Sequence, residues 1–396
     1  MSFKITDKVK WVGKIDWELR KFHGDEYSTN KGSSYNSYLV RDEKTVLIDT
    51  VWAPYAKEFV DNLKKEIDLN EIDYIIAQHG EVDHSGALPL LLKEIPDTPV
   101  YCTKNGKKIL QGHYHEDWNF IEVKTGDTLD IGESTLTFVE ARMLHWPDSM
   151  FTYMSGENIL FSNDAFGQHY ASEFFFNDKV DQCELWEECI KYYANILTPF
   201  SKLVTMKIKE VLGFELPLSM IATSHGVIWR DNPAQIVEKY LEWADSYQEN
   251  QISIIYDSMW HGTRRMAEGI MEGIRKTDPE VTVKLINAAI TDKNDIITEI
   301  FKSKGVLLGS STVNKSIQHA VGGLMEMVKG LGFQNKKGAA FGSYGWSGES
   351  IEILEGKLKE ANFEIVQDGI KALWNPDDEA MDECRDFGKR FAESFK

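Results

Sequence analysis

Four metal-capable side chains stand within six positions at His79-Gly80-Glu81-Val82-Asp83-His84. Two imidazoles and two carboxylates without a thiolate form a nitrogen and oxygen donor set. Such a set favours iron, manganese or zinc over a structural sulfur site. The stretch follows the apolar run 72–77, which reads as a buried strand. A strand ending in ligands presents them at the mouth of a sheet, where α/β proteins usually do their chemistry. On an extended segment His79, Glu81 and Asp83 project to one side, and His84 then comes from the turn into a helix expected near Ser85. Further ligands follow other apolar runs: His145 after 136–140, Asp164 after 158–162 and His225 after 220–222. Seven side chains are too many for one metal and suit two, with Asp164 the expected bridge.

A second group of polar loops lies downstream. An apolar run ends in Tyr256-Asp257-Ser258-Met259-Trp260-His261-Gly262-Thr263, and a helix is expected next. The hydroxyls of Ser258 and Thr263, the relaxed backbone at Gly262 and a helix amino-terminus suit a phosphate. No Walker lysine is present, so a nucleoside triphosphate does not fit. Two more loops follow strand-like runs. One carries Ser310, Ser311, Thr312 and Asn314; the other carries Ser343, Tyr344, Gly345, Trp346, Ser347 and Gly348. Hydroxyl loops without Lys or Arg resemble those of flavodoxins, which hold FMN at the switch point of a doubly wound sheet. Trp260 and His261 stand where Thr and Gly are usual in that pattern, and the glycine comes one place late. Tyr344 and Trp346 stand where a ring could pack against isoalloxazine.

The elements that must position these residues divide near residue 250. Before it, short strand-like runs at 9–17, 37–40, 45–49, 72–77, 100–103, 120–123, 136–140 and 158–162 alternate with turns. Helical patterns intervene at 55–67, 87–93, 104–111, 183–197, 202–212 and 233–247. After it the rhythm becomes regular, with strands expected at 252–256, 281–287, 305–309, 337–341 and 364–367 and helices between them. Two α/β domains are expected, 1–249 and 250–396, joined by a polar linker at 245–251.

Bulk properties narrow the field. A net charge of −19 argues against a nucleic-acid partner, which needs a basic face. No apolar run reaches membrane-spanning length and no signal peptide is evident, so a cytoplasmic protein is expected. Cys102, Cys183, Cys189 and Cys384 are scattered, which suggests neither a disulfide framework nor a thiolate metal site. The 11 Trp point to core and interface packing or to stacking around a flat cofactor.

The ligand pattern resembles the metallo-β-lactamase superfamily, whose hallmark is His-x-His-x-Asp-His, with Glu81 in place of the second histidine. That change hardens the donor set and suits iron better than zinc. A lactamase-like αββα sandwich followed by a flavodoxin-like domain resembles the flavodiiron proteins over nearly the whole chain. The resemblance implies one iron on His79, Glu81 and His145, a second on Asp83, His84 and His225, and Asp164 bridging them. His84 is the position some members leave uncoordinated. It further implies reduction of oxygen to water, of nitric oxide to nitrous oxide, or both. Two ferrous ions and a reduced FMN together hold the four electrons that oxygen requires. His23 and Tyr193 are similar to the family's hydrogen-bond donors beside bound ligand, with ordinary packing the competing reading for both. A head-to-tail homodimer is implied, with Trp346 approaching the partner's irons. No rubredoxin-like Cys pairs follow the last helix, so a separate electron donor is expected: a rubredoxin, a flavoprotein reductase or a reduced deazaflavin. The competing readings are a zinc-dependent hydrolase fused to a flavodoxin-like carrier, and a pure electron carrier with the first domain as scaffold.

Overall fold

Alternation of apolar and polar residues along short runs dictates half-buried strands, and two such sheets bury their apolar faces on each other. The computed structural model describes residues 2–396. The first sheet contains β1 (Phe3–Lys4), β2 (Val9–Trp11), β3 (Tyr38–Arg41), β4 (Thr45–Ile48), β5 (Tyr74–Ile76), β6 (Val100–Thr103) and β7 (Phe120–Val123), in that order. Pairing is antiparallel from β1 to β4 and parallel from β4 to β7. The second sheet contains β8 (Thr128–Asp130), β9 (Thr135–Glu140), β10 (Met150–Met154), β11 (Ile159–Asn163) and β12 (Met220–Thr223). Only its last pair, β11 with β12, is parallel.

Val40, Val46, Ile48 and Ile76 of the first sheet share one core with Leu136, Phe138, Met150 and Phe161 of the second. Tyr38 and Phe161 meet across it with ring centroids 5.2 Å apart. Helices Ala56–Glu66, Leu88–Glu94 and Lys104–Tyr114 lie in the connections of the first sheet. Gln182–Tyr192 and Ser201–Leu212 lie between β11 and β12, and Ala234–Ala244 follows β12.

The second unit is a single parallel sheet of β13 (Glu249–Asp257), β14 (Thr282–Asn287), β15 (Ser303–Ser310), β16 (Lys337–Tyr344), β17 (Glu364–Ile365) and β18 (Ile370–Leu373). The order is β14-β13-β15-β16-β17, with β18 also pairing β16. Every pairing is parallel. This is the doubly wound flavodoxin-like order, whose switch point lies between the carboxyl ends of β13 and β15. Together the two units have the α/β architecture expected from the sequence.

The chain separates into a unit of residues 1–193 and 200–242 and a unit of 194–199 and 243–396. The segment expected to be a polar linker differs in part, because residues 249–251 already belong to β13. Gln251 is buried there, its side-chain amide donating to Glu299 and Ser303, so a polar sequence still makes a strand. The expected helix at 183–197 ends at Tyr192 and continues as one π-type turn over Tyr193–Leu197. The expected strand at 9–17 is interrupted at Gly13, where a Cβ would lie 2.0 Å from the Tyr35 carbonyl oxygen. No helix among the described residues is long and apolar enough to cross a membrane.

Candidate metal and flavin sites

The seven ligand candidates converge at one end of the sandwich, three of them carried by loops of the second sheet. His79 lies three residues past the end of β5. Glu81 was expected to share an extended segment with Asp83. Instead it precedes a short helical turn, Val82–Ser85, which carries Asp83 and His84. Thr50 ties that turn down, donating its N–H and its hydroxyl to the His84 carbonyl at 2.7 and 2.6 Å. Asp164 follows an irregularity in the β11–β12 register between Phe161 and Asn163, and Asn163 adopts φ +51. Such a break re-aims the next side chain. His225 is followed by Gly226 at φ +73, where a Cβ would collide with the Gln168 amide oxygen.

The distances sort the side chains into two sets. His79 Nε2 lies 3.2 Å from Glu81 Oε2 and 3.6 Å from Asp164 Oδ2, and His145 Nε2 lies 3.5 Å from each of those oxygens. On the other side, His84 Nε2 lies 3.3 Å from Asp83 Oδ2 and 3.0 Å from Asp164 Oδ1. His225 Nε2 lies 3.1 and 3.3 Å from the same two oxygens. Asp164 thus turns one oxygen to each set. Two ligands about 2.1 Å from one metal and at right angles stand about 3.0 Å apart, close to these spacings.

The donor atoms also fit metals by what they lack. Both oxygens of Asp83 and of Asp164 and both ring nitrogens of His84 are buried without a hydrogen-bond partner among the described residues. Facing nitrogens and oxygens at 3.0–3.3 Å that fail hydrogen-bond geometry are lone pairs aimed at a common point. Buried polar groups left this way are costly unless an ion completes them. The charges agree. Burial opposes protonation of His79, but the Asp148 and Glu81 carboxylates outweigh it and raise its pKa well above the ordinary value. His225, likewise opposed by burial, is pushed up to about 10 by Asp164 and Asp83. Burial would raise Glu81, yet hydrogen bonds with His23 and His79 pull it down, and the facing imidazoles do the same for Asp164. In the ion-free pocket the carboxylates hold protons on the imidazoles, and bound cations would take the place of those protons.

Among the groups around the ligands, Asp148 was not singled out from the sequence. Asp148 is buried, with Oδ1 3.0 Å from His79 Nδ1 and Oδ2 accepting the Gly80 N–H at 2.6 Å. This fixes the tautomer that leaves His79 Nε2 free for a metal. An acid three residues after His145 was the only signal of it in the sequence. His225 Nδ1 is held by the Ser34 carbonyl at 2.6 Å. His23 Nε2 lies 3.1 Å from Glu81 Oε1, at the partly exposed rim. The Tyr193 hydroxyl is 3.1 Å from Ser201 Oγ, and its ring meets Tyr240. Its neighbour Tyr192 packs on His169, whose ring lies 4.9 Å from that of His225.

In the second unit the three hydroxyl loops meet. Thr263 Oγ1 is 3.0 Å from Ser311 Oγ and 2.9 Å from Ser343 Oγ, and the two serines are 3.3 Å apart. The Ser258 hydroxyl is buried without a partner among the described residues. Helix Gly262–Thr277 begins at this point behind His261 at φ +65. Gly342 is required, since a Cβ there would lie 2.1 Å from the Ser310 carbonyl oxygen. Convergent hydroxyls at a helix amino-terminus suit a phosphate monoester. Thr312 Oγ1 donates to Ser350 Oγ, while Asn314 adopts φ +48. Gly345, Ser347 and Gly348 flank Tyr344 and Trp346, and Trp346, Trp260 and Met259 are exposed.

Comparison with known proteins covers both units. Residues 34–226 match the family model described as ODP family beta lactamase, and residues 254–388 match the flavodoxin model. The anaerobic nitric oxide reductase flavorubredoxin of Klebsiella pneumoniae is 58% identical over 99% of this chain and 82% of its own length. The rubredoxin oxygen:oxidoreductase of Desulfovibrio gigas superposes with a TM-score of 0.96, at 38% identity, over 100% of this chain and 98% of that one. The flavodiiron protein of Giardia intestinalis gives 0.94 at 30% identity, over 99% and 96%. The chain is an oxidoreductase with FMN and a di-iron centre as its cofactors, and it belongs to the flavodiiron protein family.

Proposed function

We propose that the chain reduces nitric oxide to nitrous oxide, with His79, Glu81, His145, Asp164, Asp83, His84 and His225 holding the two irons. The observation that carries this reading is Asp164, whose two oxygens face separate His and carboxylate sets. The choice of gas rests on relatives 57% and 58% identical over nearly the whole chain that are named anaerobic nitric oxide reductases. When bound, the irons and FMN supply the electrons, two for each pair of nitric oxide molecules coupled. The protein's part is to hold the ligands, admit a small gas and deliver protons. Making one nitrous oxide and one water from two nitric oxides consumes two protons. His23 is the proton-bearing group at the rim. Burial lowers its pKa, but hydrogen bonding to Glu81 outweighs this and raises it above the ordinary histidine value.

Reduction of oxygen to water is the second reading, favoured by the similarity to the protein named rubredoxin oxygen:oxidoreductase. FMN is assigned to the loops of Ser258–Thr263, Ser310–Asn314 and Ser343–Gly348, with Thr263, Ser311 and Ser343 on its phosphate. An external donor refills it: a rubredoxin, a flavoprotein reductase or a reduced deazaflavin. The exposed Trp260 and Trp346 suit cover by a second copy in a head-to-tail homodimer, and a cytoplasmic setting is consistent with the reducing chemistry. Anaerobic single-turnover kinetics on the same reduced protein, with each gas in turn, tests the assignment. Nitric oxide is expected to be consumed faster; a large excess rate with oxygen would reverse it, and active protein holding zinc without iron would end both readings.

A further inference from the structure

The flavodoxin-like unit has a further loop at the same end of its sheet, after β18. Trp374 follows Leu373 there and adopts φ +55. A bulky side chain disfavours that left-handed conformation, and residues held in it cluster where the surroundings impose them. The surroundings here are two of the assigned flavin loops. The Trp374 N–H donates to the Tyr344 carbonyl at 2.7 Å. Its own carbonyl oxygen backs onto Gly262, where a Cβ would lie 2.8 Å away. Its indole lies over Gly345, where a Cβ would come 2.7 Å from the ring carbon Cζ3 and 2.8 Å from Cη2. A Cβ at Gly345 would meet the Trp374 indole, and one at Gly262 would meet the Trp374 carbonyl together with the Ser343 hydroxyl, 3.0 Å away. The Trp374 indole centroid is 6.3 Å from that of Trp346, and Trp374 is 63% exposed, so core packing does not account for it.

We propose that Trp374 is a flavin-positioning residue: its backbone carbonyl abuts the phosphate loop at Gly262 while its indole holds the ring loop at Tyr344–Trp346, which sets the spacing of the two. FMN is long and engages both loops at once, so its affinity depends on their spacing being fixed beforehand. The proposal rests on the assignment of FMN to these loops.

The test is a fluorescence titration of flavin-depleted full-length protein with FMN. Wild type binding no FMN would refute the loop assignment itself. Trp374→Gly keeps the left-handed backbone accessible and removes the indole. It is expected to raise the Kd at least tenfold with iron content unchanged. Binding within twofold of wild type overturns the positioning role. Gly345→Ala pushes the indole off the ring loop and is expected to weaken FMN in the wild-type background, yet to add nothing in the Trp374→Gly background. Equal losses in the two backgrounds also overturn it, because a residue acting only on overall stability would not compensate in this way. Trp374→Phe lacks the outer indole carbons that crowd position 345 and carries the same cycle where the glycine variant does not fold.

Discussion

Asp148→Asn is expected to loosen the first iron without unfolding the sandwich. The carboxylate does two jobs at once, accepting from His79 Nδ1 at 3.0 Å and from the Gly80 N–H at 2.6 Å. An amide has the same shape but one acceptor and one donor end. If its oxygen keeps the Gly80 N–H, its NH₂ must point at His79 Nδ1. That nitrogen then has to be bare, and the proton moves to Nε2, the atom that faces Glu81 and Asp164. A protonated Nε2 cannot ligate. If the amide turns round, the Gly80 N–H is left buried against a donor, at a cost of about 1–3 kcal/mol. Changes to such supporting groups typically weaken metal binding by roughly 10–100-fold, or about 1.4–2.8 kcal/mol. Competition for ferrous iron with a graded chelator, read as iron retained per protein, measures it directly. Thermal unfolding of the metal-free variant gives the stability cost separately. Wild-type iron retention in Asp148→Asn would refute the tautomer argument, and a large loss of metal-free stability would show that the residue serves the fold instead.

Two further outcomes follow from the same geometry. Glu81→His replaces an oxygen donor by nitrogen, so protein loaded from equimolar ferrous and zinc ions is expected to take up a larger share of zinc; an unchanged ratio refutes the role given to Glu81. In metal-free protein the raised pKa values of His79, His84 and His225 (the last at about 10) give stability that is full below the ordinary histidine value of 6.5 and lost as pH rises toward 10. The depressed Glu81 and Asp164 act oppositely, giving stability that is full above their ordinary values of 4.5 and 3.8 and lost as pH falls below them. Bound metal replaces the imidazole protons, so the gap in Tm between iron-loaded and metal-free protein is expected to widen from pH 6 to pH 9; a narrowing gap contradicts it.

The convergence of the seven candidate ligands was legible because residue identity and strand ends are both local signals. His145, Asp164 and His225 each follow an apolar run, and β6 and β7 fall at 100–103 and 120–123 as their patterns indicate. What the sequence hid depends on tertiary contact. Asp148 acquires its role only when β9 brings the segment after it beside His79. Tyr192, which no motif marked, packs on His169 beside His225, a contact made only in the folded chain. Asp83 looked like part of an extended run because three residues spaced by two fit a strand as well as a loop, and only the anchoring by Thr50 makes a helical turn. Trp374 carried no motif at all: its partners Gly262 and Gly345 are 112 and 29 residues away in the sequence.

His79 and the turn at Val82–Ser85 hang from one sheet, whereas His145, Asp164 and His225 hang from the other. Ions held between them would act as rivets through the sandwich, and riveting links the lifetime of the polypeptide to the supply of metal. At a free concentration 100 times its Kd, each bound ion adds about 2.7 kcal/mol to the folded state. Protein stripped of iron is therefore expected to be cut by a protease within residues 34–226 sooner than loaded protein. Equal cleavage rates would mean that the sheets hold without their rivets. With them, the protein's survival becomes a gauge of iron sufficiency.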